Sequence, residues 1–206
     1  MELSGQWVLV TGGAGFVGSH LAEALLADNE VAVVDDLSTG RRSWVPDGAD
    51  LIEGDIADLG VATDAITPDL DLVVHCAAHK QVDAADPRTQ FEENVGATYT
   101  VLDRMHEVSV TNLLYTSSST VYGEAPRPTP EDHGPCEPIS PYGAAKLAEE
   151  GLCSTYAHSH GLTVWNVRFA NIVGPRLQRG AVIPDFIAKL RNDPETLEIL
   201  GDGRQE

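Results

Sequence analysis

Tyr142 and Lys146 stand one helical turn apart in the run SPYGAAK over 140–146. On a helix that spacing sets a phenol and an ammonium on one face. A positive charge beside a phenol favours the phenolate, so Lys146 is expected to draw the Tyr142 pKa from about 10 toward neutrality, where a phenolate serves as a general base. Ser140 is placed to cap the helix, and Pro141 falls at the first helical position, where its missing N–H costs nothing. A Tyr-x-x-x-Lys pair by itself reads as a surface pair; its neighbours reverse that reading. Upstream, YTSSSTVYG over 115–123 brings hydroxyls, Ser118 among them, to the C-terminal end of an apolar strand, where open α/β sheets bind ligands.

A second constellation, TGGAGFVG over 11–18, lies between the first strand-like run and the first helix-like one. Gly12 allows a tight turn, Gly15 lets the backbone approach a pyrophosphate, and Gly18 lets the helix pack closely, while the helix N-terminus offers free N–H groups and a positive dipole. Glycines also serve plain turns, but the strand-turn-helix context is the one a dinucleotide site requires. Asp35 follows about 20 residues later, at the end of the second strand-like run, where a carboxylate accepts hydrogen bonds from ribose hydroxyls. That favours NAD over a cofactor with a phosphate on the ribose, with Arg41 and Arg42 keeping NADP as the alternative.

These groups need a scaffold, and the hydrophobic pattern supplies one. Apolar runs over 7–10, 31–34, 51–52, 72–75, 112–115 and 163–169 read as strands. Helical spacing recurs at Val17, Leu21, Ala24 and Leu25 and over 58–66, 89–108 and 141–160. Alternation of this kind predicts an α/β protein, a Rossmann-type doubly wound parallel sheet with helices on both faces. The stretch 123–141, with six prolines and little periodicity, predicts an ordered loop over one sheet edge. Residues 1–173 are expected to form this domain, and 174–206 an incomplete second one: a helix over 183–191, a strand over 197–200, and a Gly-Asp-Gly turn that asks for a partner strand.

With 32 acidic against 13 basic residues the formal net charge is -19, which repels phosphate backbones and disfavours nucleic-acid binding. Three lysines stand against ten arginines. Two readings of this surface remain open: adaptation to a high-salt cytoplasm, or an acidic, arginine-favouring proteome. No apolar run is long enough to span a bilayer, and no apolar leader precedes Gln6. Cys76, Cys136 and Cys153 lack metal-ligand spacing and read as free thiols, so no metal site and a cytoplasmic location are expected.

Taken together, TGGAGFVGSHL at 11–21, DDLSTG at 35–40, GDI at 54–56, HCAAHKQV at 75–82, ENVGAT at 93–98, SSSTVYG, SPYGAAK and RFANIVGPR at 168–176 give a sequence that resembles the extended short-chain dehydrogenase/reductase family, in its nucleotide-sugar epimerase branch. The resemblance covers essentially the whole chain. It implies that Gly12, Gly15, Phe16, Val17 and Gly18 border the NAD pyrophosphate, that Asp35, Asp36, Ser38 and Gly40 serve the adenosine ribose, and that Asp55 and Ile56 serve the adenine. Ala77, Ala78 and Lys80 would line the nicotinamide side, with Asn94 nearby. Ser118, Tyr142 and Lys146 match the catalytic set; Tyr142 and Lys146 would also touch the cofactor, and Ser118, Tyr142 and Asn171 the substrate.

The implied activity is NAD-dependent 4-epimerisation of a nucleotide-sugar of the UDP-glucose/UDP-galactose type through a 4-keto sugar, in a homodimer formed by the helices over 89–108 and 141–160. Family members that dehydrate or decarboxylate the sugar carry acidic residues where Ser119 and Thr120 stand here, and neither of these side chains titrates usefully. A 4,6-dehydratase, or an NAD-binding module without turnover, is the alternative. Members of the family are normally longer, the additional part forming much of the substrate domain.

Overall fold

Strands that are apolar on both faces need helices on both sides, and the central strands here are of that kind; the sheet comprises β1 (Trp7–Thr11), β2 (Glu30–Asp35), β3 (Asp50–Glu53), β4 (Leu72–His75), β5 (Asn112–Ser118) and β6 (Thr163–Phe169). The computed structural model describes residues 3–79, 87–177 and 182–199. All strand pairs are parallel, in the order β3-β2-β1-β4-β5-β6. The chain runs outward from β1 to β3 and then restarts on the other side of β1 with β4, so the order reverses between β1 and β4. The crevice outside the strand C-termini at such a reversal is the ligand site of open α/β sheets.

The helices are α1 (Phe16–Leu25), α2 (Leu59–Ala65), α3 (Pro87–Glu107), α4 (Pro141–His160) and α5 (Val182–Asn192). Alternation along the strands divides the core in two. Leu9, Val34, Val73 and Leu113 pack with Val101, Leu102 and Met105 of α3 and Cys153 and Tyr156 of α4. Val8, Val10, Val33 and Val74 pack on the opposite face with Ala22 of α1. This is the doubly wound Rossmann-type α/β fold that the alternating pattern predicts. Two compact units are present, Met1–Ala170, which holds the sheet, and Asn171–Glu206, which holds α5.

The strand register places Thr11 beside His75 and His75 beside Tyr115, one row across β1, β4 and β5. β5 runs on through Thr116, Ser117 and Ser118, three residues beyond the apolar run, because β6 pairs with it as far as Ser118 and Phe169. Its hydroxyls also find buried acceptors: Thr116 Oγ1 donates to the His75 carbonyl (2.9 Å) and Ser117 Oγ to Glu150 Oε1 (2.5 Å). The strand expected over 197–200 does not form over 197–199, where no described residue offers it a ladder; Leu200 and the Gly-Asp-Gly turn lie outside the described residues.

Capping residues set the helix starts. Asp58 accepts from Gly60 N and Val61 N at the head of α2. Ser140 Oγ accepts from Gly143 N (3.0 Å) at the head of α4, which opens on Pro141 and closes on left-handed Gly161. Replacing Ser140 by Ala leaves that amide without its acceptor and is expected to lower unfolding stability by about 1 kcal/mol. Denaturant unfolding checks this, and a midpoint equal to wild type would show that the cap does not hold α4.

Candidate functional site

The turn after β1 is shaped by what a side chain would hit. Gly12 has φ +64, and a Cβ there would lie 2.7 Å from Ala77 N; a Cβ on Gly18 would lie 2.2 Å from the Gly12 carbonyl oxygen. Gly15 differs, because a Cβ there would meet only the Gly12 carbonyl oxygen, at 3.2 Å, and otherwise project into open space. Gly15 is also the N-cap of α1, and no side chain caps it. The first-turn amides, those of Phe16, Val17 and Gly18, therefore face an open cradle at a positive helix end, which fits a pyrophosphate.

Asp35 closes the cradle where β2 ends. Its Oδ2 accepts from Ala14 N (2.9 Å) and its Oδ1 from Leu37 N (2.8 Å), tying the glycine turn to the loop after β2. Burial pushes its pKa up, against the pull of these two amides. A carboxylate has further lone pairs for ribose hydroxyls. Gly40 is held against it, since a Cβ there would lie 2.8 Å from Asp35 Oδ1. Asp36 is exposed and accepts from the Ser38 amide and hydroxyl (2.9 and 2.7 Å), which turns the loop back on itself. Arg42 pairs with Glu53, and Arg41 lies over the Trp44 ring (5.1 Å). Asp55 is exposed beside buried Ile56.

Ala77 and Ala78 follow β4, and the Ala77 amide donates to Thr11 Oγ1 (3.1 Å). Asn94 is buried, and both ends of its amide are engaged with the His79 backbone: Oδ1 accepts from N (2.7 Å) and Nδ2 donates to O (3.1 Å). It fixes the loop that carries the two alanines. Lys80 lies outside the described residues.

Ser118, Tyr142 and Lys146 come together where β5 ends and α4 begins. Ser118 Oγ accepts from Thr120 N (3.2 Å) and Thr120 Oγ1 (2.9 Å), making a 3₁₀ turn over Ser119–Tyr122. That turn packs on the first turn of α4 so closely that a Cβ on Gly143 would lie 2.7 Å from the Thr120 carbonyl oxygen. The Lys146 ammonium is 5.8 Å from the centre of the Tyr142 ring. A cleft of about 1210 Å³ opens beside this junction, lined by Ser119, Tyr122, Arg127, Glu131, Glu150 and Arg168. Within it Arg168 is locked by two bonds to Glu150 (2.9 and 2.7 Å) and lies over Tyr122 (4.7 Å), so its role is to hold β6, α4 and the proline-rich loop together. Asn171 is exposed and belongs to the second unit.

The electrostatics correct one expectation. Tyr142 is not drawn toward neutrality; burial first, and then the charge of Glu149, push its pKa up to about 12. Lys146 is 1% exposed, and it donates to Glu149 Oε2 (3.3 Å) and Tyr115 OH (3.1 Å). Its charge is thus compensated one turn along its own helix. Glu149 Oε2 also accepts from Thr98 Oγ1 (2.6 Å), which is 3.1 Å from His75 Nε2, while His75 Nδ1 is 2.6 Å from Thr11 Oγ1. Thr11 Oγ1 already accepts from the Cys76 and Ala77 amides (3.2 and 3.1 Å), so its proton goes to His75 Nδ1. His75 is therefore neutral with its proton on Nε2, and every donor along the row points toward Glu149. Thr11, His75, Thr98 and Tyr115 fall inside the runs quoted above without a role read for them there, and Glu149 offers only its i, i+3 spacing from Lys146.

The family model described as "NAD dependent epimerase/dehydratase family" matches residues 8–206. A UDP-glucose 4-epimerase of Streptomyces lividans is 38% identical over 99% of this chain and 62% of its own length. A crystal structure of a UDP-galactose 4-epimerase superposes with a TM-score of 0.84 at 47% identity, over 93% of this chain and 64% of that one. A dTDP-glucose 4,6-dehydratase from Streptomyces venezuelae, solved with NAD bound, gives a TM-score of 0.83 at 32% identity, over 90% and 62%. The chain spans 51–67% of the length of the first three curated relatives it matches.

Burial holds the His75 pKa down at about 3, against an ordinary value of 6.5, with the Lys146 charge acting the same way. The unfolded chain therefore binds a proton that the folded chain refuses between those values, and stability contributed by His75 is complete above about pH 6.5 and declines as pH falls toward 3. His75→Gln is expected to flatten stability against pH in that window. Unfolding free energies at neutral and mildly acidic pH check this; an unchanged slope would mean that His75 does not titrate between the two states.

Proposed function

The chain belongs to the NAD-dependent epimerase/dehydratase family, and on that premise we propose that it carries the cofactor-binding and catalytic part of a nucleotide-sugar 4-epimerase acting on a UDP-linked hexose. The observation that carries this reading is the junction of β5 and α4, which puts Ser118 and Tyr142 on touching backbone segments with Lys146 one turn below. Relatives named UDP-glucose and UDP-galactose 4-epimerases support it. Residues 174–206 are proposed to belong to a substrate domain, and Asn171 to contact the substrate.

When bound in the cradle of Gly12, Gly15 and Gly18, with Asp35 on its ribose, NAD supplies a hydride acceptor and a positively charged ring. Tyr142 takes the proton from the sugar hydroxyl at carbon 4 and returns it after the 4-keto sugar has turned over in the pocket. Ser118, whose oxygen accepts from Thr120, directs its own hydroxyl proton to the sugar oxygen and aligns it with the phenol. Lys146 supports the developing phenolate and holds the nicotinamide ribose. Water must be kept from the keto sugar, and the proline-rich loop that Arg168 ties down stands over that cleft.

A dehydratase is the second reading, supported by the likeness to the dTDP-glucose 4,6-dehydratase. Dehydration needs a proton acceptor beside the keto carbon and a donor for the leaving hydroxide. Ser119 and Thr120 supply neither, and Thr120 Oγ1 is committed to Ser118. Epimerisation asks for no such pair.

The assembly we propose is a homodimer in which α3 and α4 of two copies form a four-helix contact; exposed Tyr99 of α3, edge-on to Tyr156 of α4, lies on that surface. A cytoplasmic site fits the three free thiols. Among the described residues no helix is long and apolar enough to cross a membrane.

The test is cofactor release from the purified chain, then incubation with UDP-glucose and UDP-galactose. NAD binding and interconversion at carbon 4 are expected. Tyr142→Phe should keep NAD binding and lower turnover by at least about 100-fold, the scale of a lost general base. A Phe variant within a few-fold of wild type would remove Tyr142 from the chemistry.

A further inference from the structure

Glu149 is a fully buried carboxylate that the family's Tyr-x-x-x-Lys motif does not include. Its Oε2 is held by Thr98 and Lys146, while its Oε1 has no hydrogen-bond partner among the described residues. Leaving a buried carboxylate oxygen unpaired is costly, so a carboxylate here needs a compensating reason. A hydrogen-bonding role alone does not supply one, because a neutral amide would accept from Thr98 and Lys146 equally well.

The charges around it give the reason. Lys146 brings one positive charge into a place that is 1% exposed. From α3 the facing group is the Thr98 hydroxyl, from β4 neutral His75, from β5 the Tyr115 phenol, and from β1 Thr11 through His75. On α4 itself Tyr142 and Cys153 are neutral, and Glu150 is matched by Arg168. Glu149 is therefore what balances Lys146 in the interior. On the reading proposed above, the oxidised nicotinamide ring that Lys146 serves is itself a cation, whereas the reduced ring is neutral.

We propose that Glu149 is a positioning residue for the cofactor pocket: its carboxylate holds the Lys146 ammonium in place and cancels its charge, so that the cationic, oxidised ring is accommodated beside a buried lysine. The inference rests on the epimerase reading only through NAD binding at this pocket. With Glu149 the pair is neutral and the ring brings the pocket to a single positive charge; without it, two positive charges share a low-dielectric site.

The experiment compares dissociation constants of NAD and NADH for the full chain and its variants, all carrying Tyr142→Phe so that ionisation of the phenol cannot replace a lost charge; this parent is the wild type of the comparison. Glu149→Gln is expected to shift the ratio toward NADH by about tenfold, the scale of one unit charge acting over about 10 Å at an effective dielectric constant of about 20. Lys146→Met leaves the carboxylate uncompensated and should shift the ratio the other way, toward NAD. The double variant Glu149→Gln with Lys146→Met removes the pair as a unit and should return the ratio to within about twofold of wild type. Lost ribose contacts or loosened packing weaken both cofactor forms alike and leave the ratio alone. An unmoved ratio in Glu149→Gln overturns the proposal. If that variant does not fold, an unmoved ratio in Lys146→Met overturns it equally. Wild-type protein that binds neither NAD nor NADH would instead bring down the functional reading beneath it, and this is seen before any variant is made.

Discussion

An ammonium cannot be placed in a protein interior without an anion, and much of this molecule is arranged around that constraint. Lys146 has to be buried because its helix, α4, lies flat on the sheet with that face inward. Its counter-ion comes from the next turn, Glu149, and the counter-ion is fixed by Thr98 of α3. Thr98 in turn meets His75 of β4, and His75 meets Thr11 of β1. Four elements are thereby held to one register, since a slip of one residue in β4 would move His75 to the other face and strand the carboxylate. Such a pair adds little net stability, but loss of either member is costly, so it penalises alternative packings more than it strengthens this one.

The same row reaches the glycine turn. Thr11 closes β1, and its hydroxyl takes both the Cys76 and Ala77 amides, which draws the loop after β4 against the turn. Gly12 then has to be glycine, because Ala77 N occupies the place of a Cβ. The open cradle in front of α1 and the ammonium on α4 are thus joined through a short chain of hydrogen bonds across the switch point of the sheet. On the proposed reading, a cofactor cradle and a phenol-ammonium pair built on one row of side chains keep a constant spacing, which hydride transfer between cofactor and substrate requires.

The pattern of strands and helices was legible because the central strands are apolar on both faces and α4 opens on a cap that the sequence names. Ser140 and Pro141 mark an end that the structure keeps, while the caps Asp58 and Gly161 emerge only with the structure. The end of β5 was harder to read, since Thr116, Ser117 and Ser118 look like a loop until Glu150, the His75 carbonyl and β6 are known to lie beside them. The glycine turn and the Tyr142-Lys146 pair carry local spacing and could be read directly. The charge environment could not. The sequence suggests that Lys146 lowers the Tyr142 pKa, and a pairwise argument has no means of seeing that Glu149 neutralises the lysine, because the burial that makes this decisive is a tertiary property. Nor does sequence separation hint that Thr98, on another helix, holds Glu149 in place.

Under the proposed function Tyr142 must take a proton and give it back, and a phenol kept protonated in the interior suits the second of these steps. Were Lys146 unopposed, Tyr142 would ionise readily and the phenolate would persist, a good base for the first half of an epimerisation and a poor acid for the second. With the lysine balanced, the phenol is the resting form, and ionisation becomes favourable only when a further positive charge is brought to the pocket. On the proposed reading an oxidised nicotinamide would be that charge, and its reduction would remove it. Under the proposed function, coupling the proton to the hydride in this way would need no moving part. It needs a buried carboxylate one turn from the lysine, which is what α4 provides.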